Sequence, residues 1–186
     1  PADALKAHPF ALLVLMRSMF NWRNIPKMLE LKALLLAALE EHPELPAEER
    51  GNLLGECDLI MSFLCYNDIS AMSRLHRSAS AQMSRPAISI RSSGGWTFGS
   101  PSVLMMFYRA PGELAGELAE MAECMPHYYK ITNGHGQGAE TIMRAEAAFV
   151  QGRFTDAHIA LESAYAQIEG NGQVNMALCC DFLAWR

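Results

Sequence analysis

The chain has 186 residues, 51% of them hydrophobic, and a formal net charge of −5. Such a sequence can bury the core of one domain built from several helical hairpins, but is short for two domains. The acidic balance and the lack of a basic cluster argue against binding nucleic acid by phosphate neutralisation. The apolar runs 10–16 and 33–39 are far shorter than the roughly 18 residues of a membrane span, and no signal peptide is evident.

Five cysteines, an odd number, fall within predicted helices. This usage indicates reduced, packed thiols and favours a cytoplasmic protein.

Helical spacing of apolar residues, interrupted by Gly, Pro and Asn, predicts four helical hairpins and one unpaired helix. The predicted helices are Ala4–Asn21, Pro26–Glu41, Pro46–Tyr66, Ile69–Met83, Pro101–Arg109, Gly112–Thr132, two short helices within Ala139–Gln167, and Asn175–Arg186. They form one domain, 1–186, with repeats over 4–41, 46–83, 101–132 and 139–170 and a half repeat over 175–186.

Several helix starts carry their own signals. Pro26 suits a first helical turn, where its missing N–H has no partner to lose. Pro46 is followed by acids at 48 and 49, which favour the helix dipole. Ser100-Pro101 predicts an N-cap followed by a first-position proline. Pro126 is predicted to kink its helix.

The fourth hairpin has the clearest pattern of small and large residues. Gly152 is predicted to end its first helix, and Phe154 to plug the turn. Small residues that would let the two backbones approach closely are Ala145, Ala157 and Ala164. Large residues that would fill the remaining space are Phe149, Phe154 and Leu161. Because such a hairpin cannot bury its apolar face alone, it requires similar neighbours.

One signature recurs along the chain: an apolar turn residue, an apolar residue three positions later and a small or apolar residue ten positions later. The four copies are Ile25/Met28/Leu35, Ile69/Met72/Ala79, Pro111/Leu114/Met121 and Phe154/Ala157/Ala164. Their spacing gives a period near 43 residues, longer than the roughly 34 of a tetratricopeptide repeat and within the roughly 40–47 of other helical solenoids.

The fourth hairpin resembles a tetratricopeptide repeat. The residues that carry the resemblance are Ala145, Phe149, Gly152, Phe154, Ala157, Leu161 and Ala164. With the recurring signature, it predicts an all-α fold: a right-handed α-solenoid of tetratricopeptide-like helical hairpins with a period near 43 residues.

Two segments depart from the hairpin pattern. Residues 84–100 (SRPAISIRSSGGWTFGS) are rich in Gly and Ser but contain Trp96 and Phe98, which predicts a loop that docks on another surface. Residues 130–138 (KITNGHGQG) form a second Gly-rich connection, leading directly into a helix.

Three longer segments extend the resemblance to a wider family. They are NIPKMLELKALLLAALEEHPELPAEERGNLLGECDLIMSFLCYNDISAMSRLHR, WTFGSPSVLMMFYR and ECMPHYYKITNGHGQGAE, in that order. Together they resemble the helical-repeat region of large bacterial LuxR-family regulators of the MalT type, over nearly the whole chain. The opening at Pro1 and the end at Trp185-Arg186 within an apolar pattern are consistent with a fragment of a larger protein.

The resemblance implies the sensing segment of a transcriptional regulator. In that family the superhelix receives a small-molecule inducer or a regulatory protein. ATP is expected only in a missing N-terminal domain, and DNA binding only through a missing C-terminal helix-turn-helix domain; this chain has no phosphate-loop motif. Self-association stays open, and no membrane partner is expected. The alternative is a protein–protein interaction scaffold of tetratricopeptide type unrelated to transcription.

In tetratricopeptide arrays the first helix of each hairpin lines the concave groove, and the resemblance therefore implies a set of groove residues. They are Arg17, Asn21, Met61, Cys65, Met106 and Glu146. Trp96 and Tyr108 are candidate aromatic anchors, and Arg17 and Glu146 are candidate polar orienting groups. The competing interpretation for each residue is ordinary packing or solvation.

His135 belongs to the run Gly134–Gly138, which precedes a predicted helix. Free N–H groups there suit an anion or a partner contact, and the alternative is a flexible turn. Cys124, His127 and His135 lack the paired spacing of a zinc site, so no metal is predicted. No nucleophile is paired in sequence with a recognisable base and acid, and no enzyme activity is predicted.

Overall fold

The computed structural model describes residues 5–65, 67–92, 102–108, 110–170, 172 and 174–185, omitting the side chains of 174, 175 and 182. None of these residues forms a strand. The helices, in chain order, are α1 Pro9–Asn21, α2 Ile25–Glu41, α3 Ala47–Ser62, α4 Ile69–Gln82, α5 Val103–Phe107, α6 Leu114–Thr132, α7 Ala139–Val150, α8 Phe154–Glu169 and α9 Val174–Ala184. The prediction of an all-helical chain is confirmed for the part that the structure describes.

Side-chain capping explains some of the helix starts. The Asn24 side chain accepts a hydrogen bond from the Lys27 amide at 3.2 Å, and that of Asp68 accepts one from the Ala71 amide at 2.8 Å. Each satisfies an amide of the first turn that has no partner within the helix. In α3, Pro46 is the N-cap, and Glu48 and Glu49 lie in the first turn, as predicted.

Several predicted boundaries are wrong. The predicted first helix is interrupted at residues 7 and 8, and α1 begins at Pro9, because a proline favours the first helical turn. The predicted helix Pro101–Arg109 is only Val103–Phe107, capped by Ser102 rather than Ser100. Ala4, Tyr66, Ser100, Pro101, Arg109 and Arg186 lie outside the described residues.

The hydrophobic core consists of two adjoining clusters. The first joins α1, α2 and α3 around Leu13, Met16 and Leu35, and the second joins the helices from α3 to α9. Adjacent residues of α3 separate them: Ile60 belongs to the first cluster and Leu59 to the second.

Packing follows the order of the chain. Within a predicted hairpin, α1 packs on α2, α3 on α4, and α7 on α8. Between hairpins, the contacts join α1 with α3, α4 with α6, α5 with α7, α6 with α7, α7 with α9, and α8 with α9. The predicted third hairpin is different, because α5 packs chiefly on α7 rather than along α6.

The fourth hairpin is closely packed through its small residues. Ala145, Ala157 and Ala164 are buried between α7 and α8, as their size predicts. The prediction for Phe154 is wrong, since its ring is 63% exposed and contacts Phe149 edge-on instead of plugging the turn.

The described part of the first irregular segment, 84–92, docks through polar contacts. The carboxylate of Glu56, fully buried on α3, accepts a hydrogen bond from the Ser89 amide at 2.6 Å. The Ala87 amide donates to the Ile131 carbonyl of α6 at 2.7 Å. These contacts fasten the connection between α4 and α5 to two helices, while Trp96 and Phe98 lie outside the described residues.

Close contact between α3 and the end of α4 requires glycine. A Cβ atom on Gly51 would lie 2.8 Å from the Gln82 carbonyl oxygen. A Cβ atom on Gly55 would lie 2.5 Å from the Met83 side chain and 3.0 Å from the Ala79 carbonyl oxygen. Because a backbone oxygen cannot move aside cheaply, an added methyl group there would force the helices apart.

We predict that Gly51→Ala lowers the free energy of unfolding by about 1–2 kcal/mol, despite the better helix propensity of alanine. The matched control is Gly116→Ala in α6, where an added Cβ atom meets nothing within 4 Å. This control should raise the free energy of unfolding by about 0.5–1 kcal/mol. Urea denaturation measures both, and equal effects of the two substitutions would contradict the close helix contact.

Candidate functional site

Arg17 and Asn21 come together on the last turns of α1. The Arg17 guanidinium donates a hydrogen bond from Nη1 to Asn21 Oδ1 at 2.6 Å. Its central carbon lies 5.3 Å from the ring centroid of Phe20 and 4.7 Å from that of Phe63, within the range of cation–π attraction. The two rings are 5.4 Å apart, so a half-buried cation rests on an aromatic support built by α1 and α3.

Burial lowers the pKa of Arg17, and its electrostatic interaction with Tyr128 partly offsets that effect. Desolvation disfavours the charged form of a base, which explains the direction of the shift. The guanidinium nevertheless stays charged at neutral pH, since arginine does not deprotonate in proteins.

Other candidate groove residues pack into the core. Met106 is 7% exposed and Glu146 is 8% exposed. The Glu146 carboxylate accepts a hydrogen bond from the Leu104 amide at 2.8 Å, which fixes the first turn of α5 on α7. This arrangement favours the packing interpretation for both residues.

The remaining candidates are dispersed. Met61 and Cys65 are half-buried at the end of α3, Met61 against the first core cluster and Cys65 against the second. Tyr108 is 42% exposed just after α5. Trp96 lies outside the described residues.

His135 points inwards. It is 5% exposed, and its Nδ1 lies 2.7 Å from the Tyr128 hydroxyl oxygen, a hydrogen-bond distance. Tyr128 is fully buried on α6, and burial raises its pKa, so its hydroxyl stays protonated. The His76 ring lies 4.9 Å from that of Tyr128, which links the loop 133–138 to α4.

His76 is the polar centre of α4. Ser62 Oγ donates to the Leu59 carbonyl oxygen at 2.6 Å and lies 3.0 Å from His76 Nε2, so Nε2–H donates to Ser62. His76 Nδ1 then accepts from the Cys124 thiol, whose sulfur is 3.1 Å away. This assignment satisfies both ring nitrogens of a neutral imidazole.

The Cys124–His76 pair is not arranged as a nucleophile and base. Burial raises the pKa of the Cys124 thiol to about 12 and lowers that of His76 to about 3. A reactive cysteine needs the opposite shifts, towards thiolate and imidazolium. At neutral pH the pair is uncharged and serves to join α4 to α6.

The Gly-rich run before α7 forms a packed turn. Gly138 has φ of 101°, and a Cβ atom there would lie 3.2 Å from Ile168 of α8. The Tyr129 oxygen lies against the amides of Gly138 and Ala139, and its hydroxyl donates to the Glu140 carboxylate. Tyr129 therefore takes the place that an anion would occupy at this helix start.

An acidic cleft between the starts of α4 and α6 went unrecognised in the sequence. It has a volume of about 720 Å³, is open to solvent, and is lined by the carboxylates of Asp68, Glu113, Glu117 and Glu120. Acids near helix starts are common, because they favour the helix dipole, so their positions in sequence did not distinguish a cleft from ordinary capping.

Among the described residues, no three His, Cys, Asp or Glu side chains are grouped so that they could hold a metal ion. Cys124 contacts His76 rather than forming a ligand set with His127 and His135. No described helix is long and apolar enough to span a membrane.

We predict that His76 makes stability depend on pH. Its pKa is about 3 in the folded protein, against an ordinary value of 6.5. The unfolded chain therefore takes up a proton first as the pH falls, and stability is lost from about pH 6.5 down to about pH 3. Between pH 7 and pH 5 this loss is about 2 kcal/mol from His76 alone.

Urea denaturation at pH 7 and pH 5 measures the loss. His76→Gln should remove most of it, whereas His158→Gln, at an exposed position on α8, should leave it unchanged. An identical pH dependence in His76→Gln and the unsubstituted protein would contradict the burial of a neutral imidazole.

A second prediction concerns the five free thiols. Cys65 is half-buried and the other four are buried. A thiol reagent at pH 8 should label one thiol at least about tenfold faster than the rest, which react only when the structure opens. Cys65→Ser should abolish the fast phase, and rapid labelling of Cys124 detected by peptide mapping would contradict the structure.

Protein-family models, curated proteins and solved structures were each compared with this chain, and none of them matches it.

Proposed function

We propose that the chain is the effector- or partner-sensing helical-repeat segment of a MalT-like, LuxR-family transcriptional regulator. The observation that carries the proposal is the order in which its hairpins pack. Corresponding helices of neighbouring predicted hairpins pack on one another in four places: α1 on α3, α4 on α6, α5 on α7, and α7 on α9. Second helices also pack on the next first helix, α6 on α7 and α8 on α9. Such sequential contacts support a stack of helical hairpins, and with the resemblance they support the tetratricopeptide-like solenoid that we propose.

Such a solenoid has a concave inner face and a convex outer face. First helices line a concave face, and the aromatic-supported Arg17 on α1 is the polar group best placed to meet a ligand there. In this proposal the regulator is cytoplasmic, reaches DNA only through its C-terminal domain and uses ATP only in its N-terminal domain.

The mechanism proposed is a population shift. An effector or partner bound in the concave groove would favour one curvature of the superhelix and release the attached ATPase domain for assembly. Binding can shift such an equilibrium only by its differential affinity for the two curvatures. No catalytic step is proposed, since the Cys124–His76 pair is held neutral.

A tetratricopeptide-type scaffold unrelated to transcription is the second candidate. The observation that favours it is the open form of the clefts, at the starts of α4 and α6 and between α7 and α8. Small molecules usually occupy enclosed, mostly apolar pockets, whereas peptides and helices lie in open grooves. The same observation favours a partner protein over a small inducer within the regulator proposal.

The coding sequence on both sides of residues 1–186 tests the regulator proposal directly. We expect a phosphate-loop ATPase domain upstream and a basic helix-turn-helix domain downstream. Finding neither domain would overturn the regulator function and leave the scaffold as the better account.

A further inference from the structure

Unlike Arg77, Arg85 and Arg153, Arg17 has no acidic partner among the described residues, and Arg50 likewise donates to a neutral acceptor, the His42 carbonyl oxygen. Arg77 pairs with Glu120 and Glu123, and Arg153 pairs with Asp156. Arg85 lies near Glu56 and Glu49. Among the described residues, the hydrogen-bond acceptor of Arg17 is a neutral amide oxygen, Asn21 Oδ1.

The absence of a carboxylate at Arg17 is not explained by a shortage of acids. The chain carries 20 acidic residues against 15 basic ones. Burying part of a cation without a counter-ion costs free energy, because protein groups and aromatic rings solvate the charge less well than the water that they displace. Phe20 and Phe63 recover a part of that cost by cation–π attraction, but neither ring accepts a conventional hydrogen bond.

The guanidinium also has unused donors. It carries five N–H groups in a rigid, planar fork, and only its Nη1 nitrogen donates a hydrogen bond to Asn21. A planar carboxylate matches that fork with two parallel hydrogen bonds. A single guanidinium balances a single negative charge, which suits a carboxylate better than a phosphate dianion in a chain that is itself acidic.

We propose that Arg17, held by Asn21 on the Phe20 and Phe63 rings, is a binding site for a carboxylate group whose apolar neighbour packs beside the half-buried Phe20, since Phe63 is itself buried. The proposal rests on the proposed sensing function only in assigning this carboxylate to the effector or partner. The carboxylate comes either from a small organic acid or from an acidic side chain of a peptide.

Titration of the protein, monitored through the backbone amide resonances of α1, which the Arg17 variants retain, separates the two sources. The probes are benzoate and a hexapeptide containing Phe-Glu, each beside its uncharged counterpart, benzamide and the Phe-Gln peptide, with inorganic phosphate as a further anion. We expect an acid probe to bind at least about tenfold more tightly than its amide, because charge-assisted hydrogen bonds are roughly twice as strong as neutral ones. Benzoate alone would indicate a small acid, and the peptide alone a partner protein.

Variants test whether Arg17 is responsible. Arg17→Gln should weaken the binding of the acid probe at least about tenfold, and Arg17→Lys should weaken it less, since lysine keeps the charge but lacks the fork. Arg144→Gln removes the same charge from an exposed position on α7 and should change nothing. Melting temperatures confirm that each variant is folded.

Three results would overturn the proposal: no probe binds, phosphate alone binds, or the folded Arg17→Gln variant binds the acid as tightly as before. The binding test and the coding-sequence test can fail separately. Carboxylate binding without flanking ATPase and DNA-binding domains would retain this site and refute the regulator function. Flanking ATPase and DNA-binding domains without carboxylate binding would retain the regulator function and refute this site.

Discussion

A histidine inside an apolar core must be neutral and hydrogen-bonded at both ring nitrogens, and that requirement organises the centre of this protein. His76 meets it through Ser62 at the end of α3 and Cys124 on α6, so one side chain of α4 fixes three helices. Tyr128 packs on His76 and is hydrogen-bonded to His135, which connects the loop 133–138 to the same group of buried side chains. Losing one partner would leave a buried polar atom unsatisfied, which costs more than a single hydrogen bond contributes.

Features that depend on residues close together in the chain could be predicted from the sequence, and features that depend on distant residues could not. Helix spacing and the capping residues Asn24 and Asp68 act within three or four positions, so most elements were predictable. The short helix α5 depends on Glu146, 42 residues away, and the 84–92 connection depends on Glu56, 33 residues from Ser89. Such carboxylates look like surface or groove residues in the sequence, because their amide partners are visible only in the folded chain.

The candidate site divides in the same way. Arg17 and Asn21 are four positions apart on one helix, a spacing that brings two side chains together, and both were predicted as groove residues. The aromatic support could not be predicted, because Phe63 reaches Arg17 from another helix. His135 was predicted from the Gly-rich run and Glu146 from its place on a first helix, but both are buried, since the sequence gives their polarity and not the direction in which they point.

The boundary between the core clusters at Leu59 and Ile60 has a consequence for how the molecule opens. Each cluster is held mainly by contacts among neighbouring hairpins, as in proteins whose stability is a sum of local units and the interfaces between them. Helix α3 is the main shared element, and Phe20 of α1 also packs against both clusters, so we expect α1 and α2 to open at a lower free energy than the helices beyond α3. Amide hydrogen exchange in α1 and α2 would then report a smaller free energy of opening than exchange in α6. A partner that binds the first hairpin would act on the rest of the chain mainly through α3.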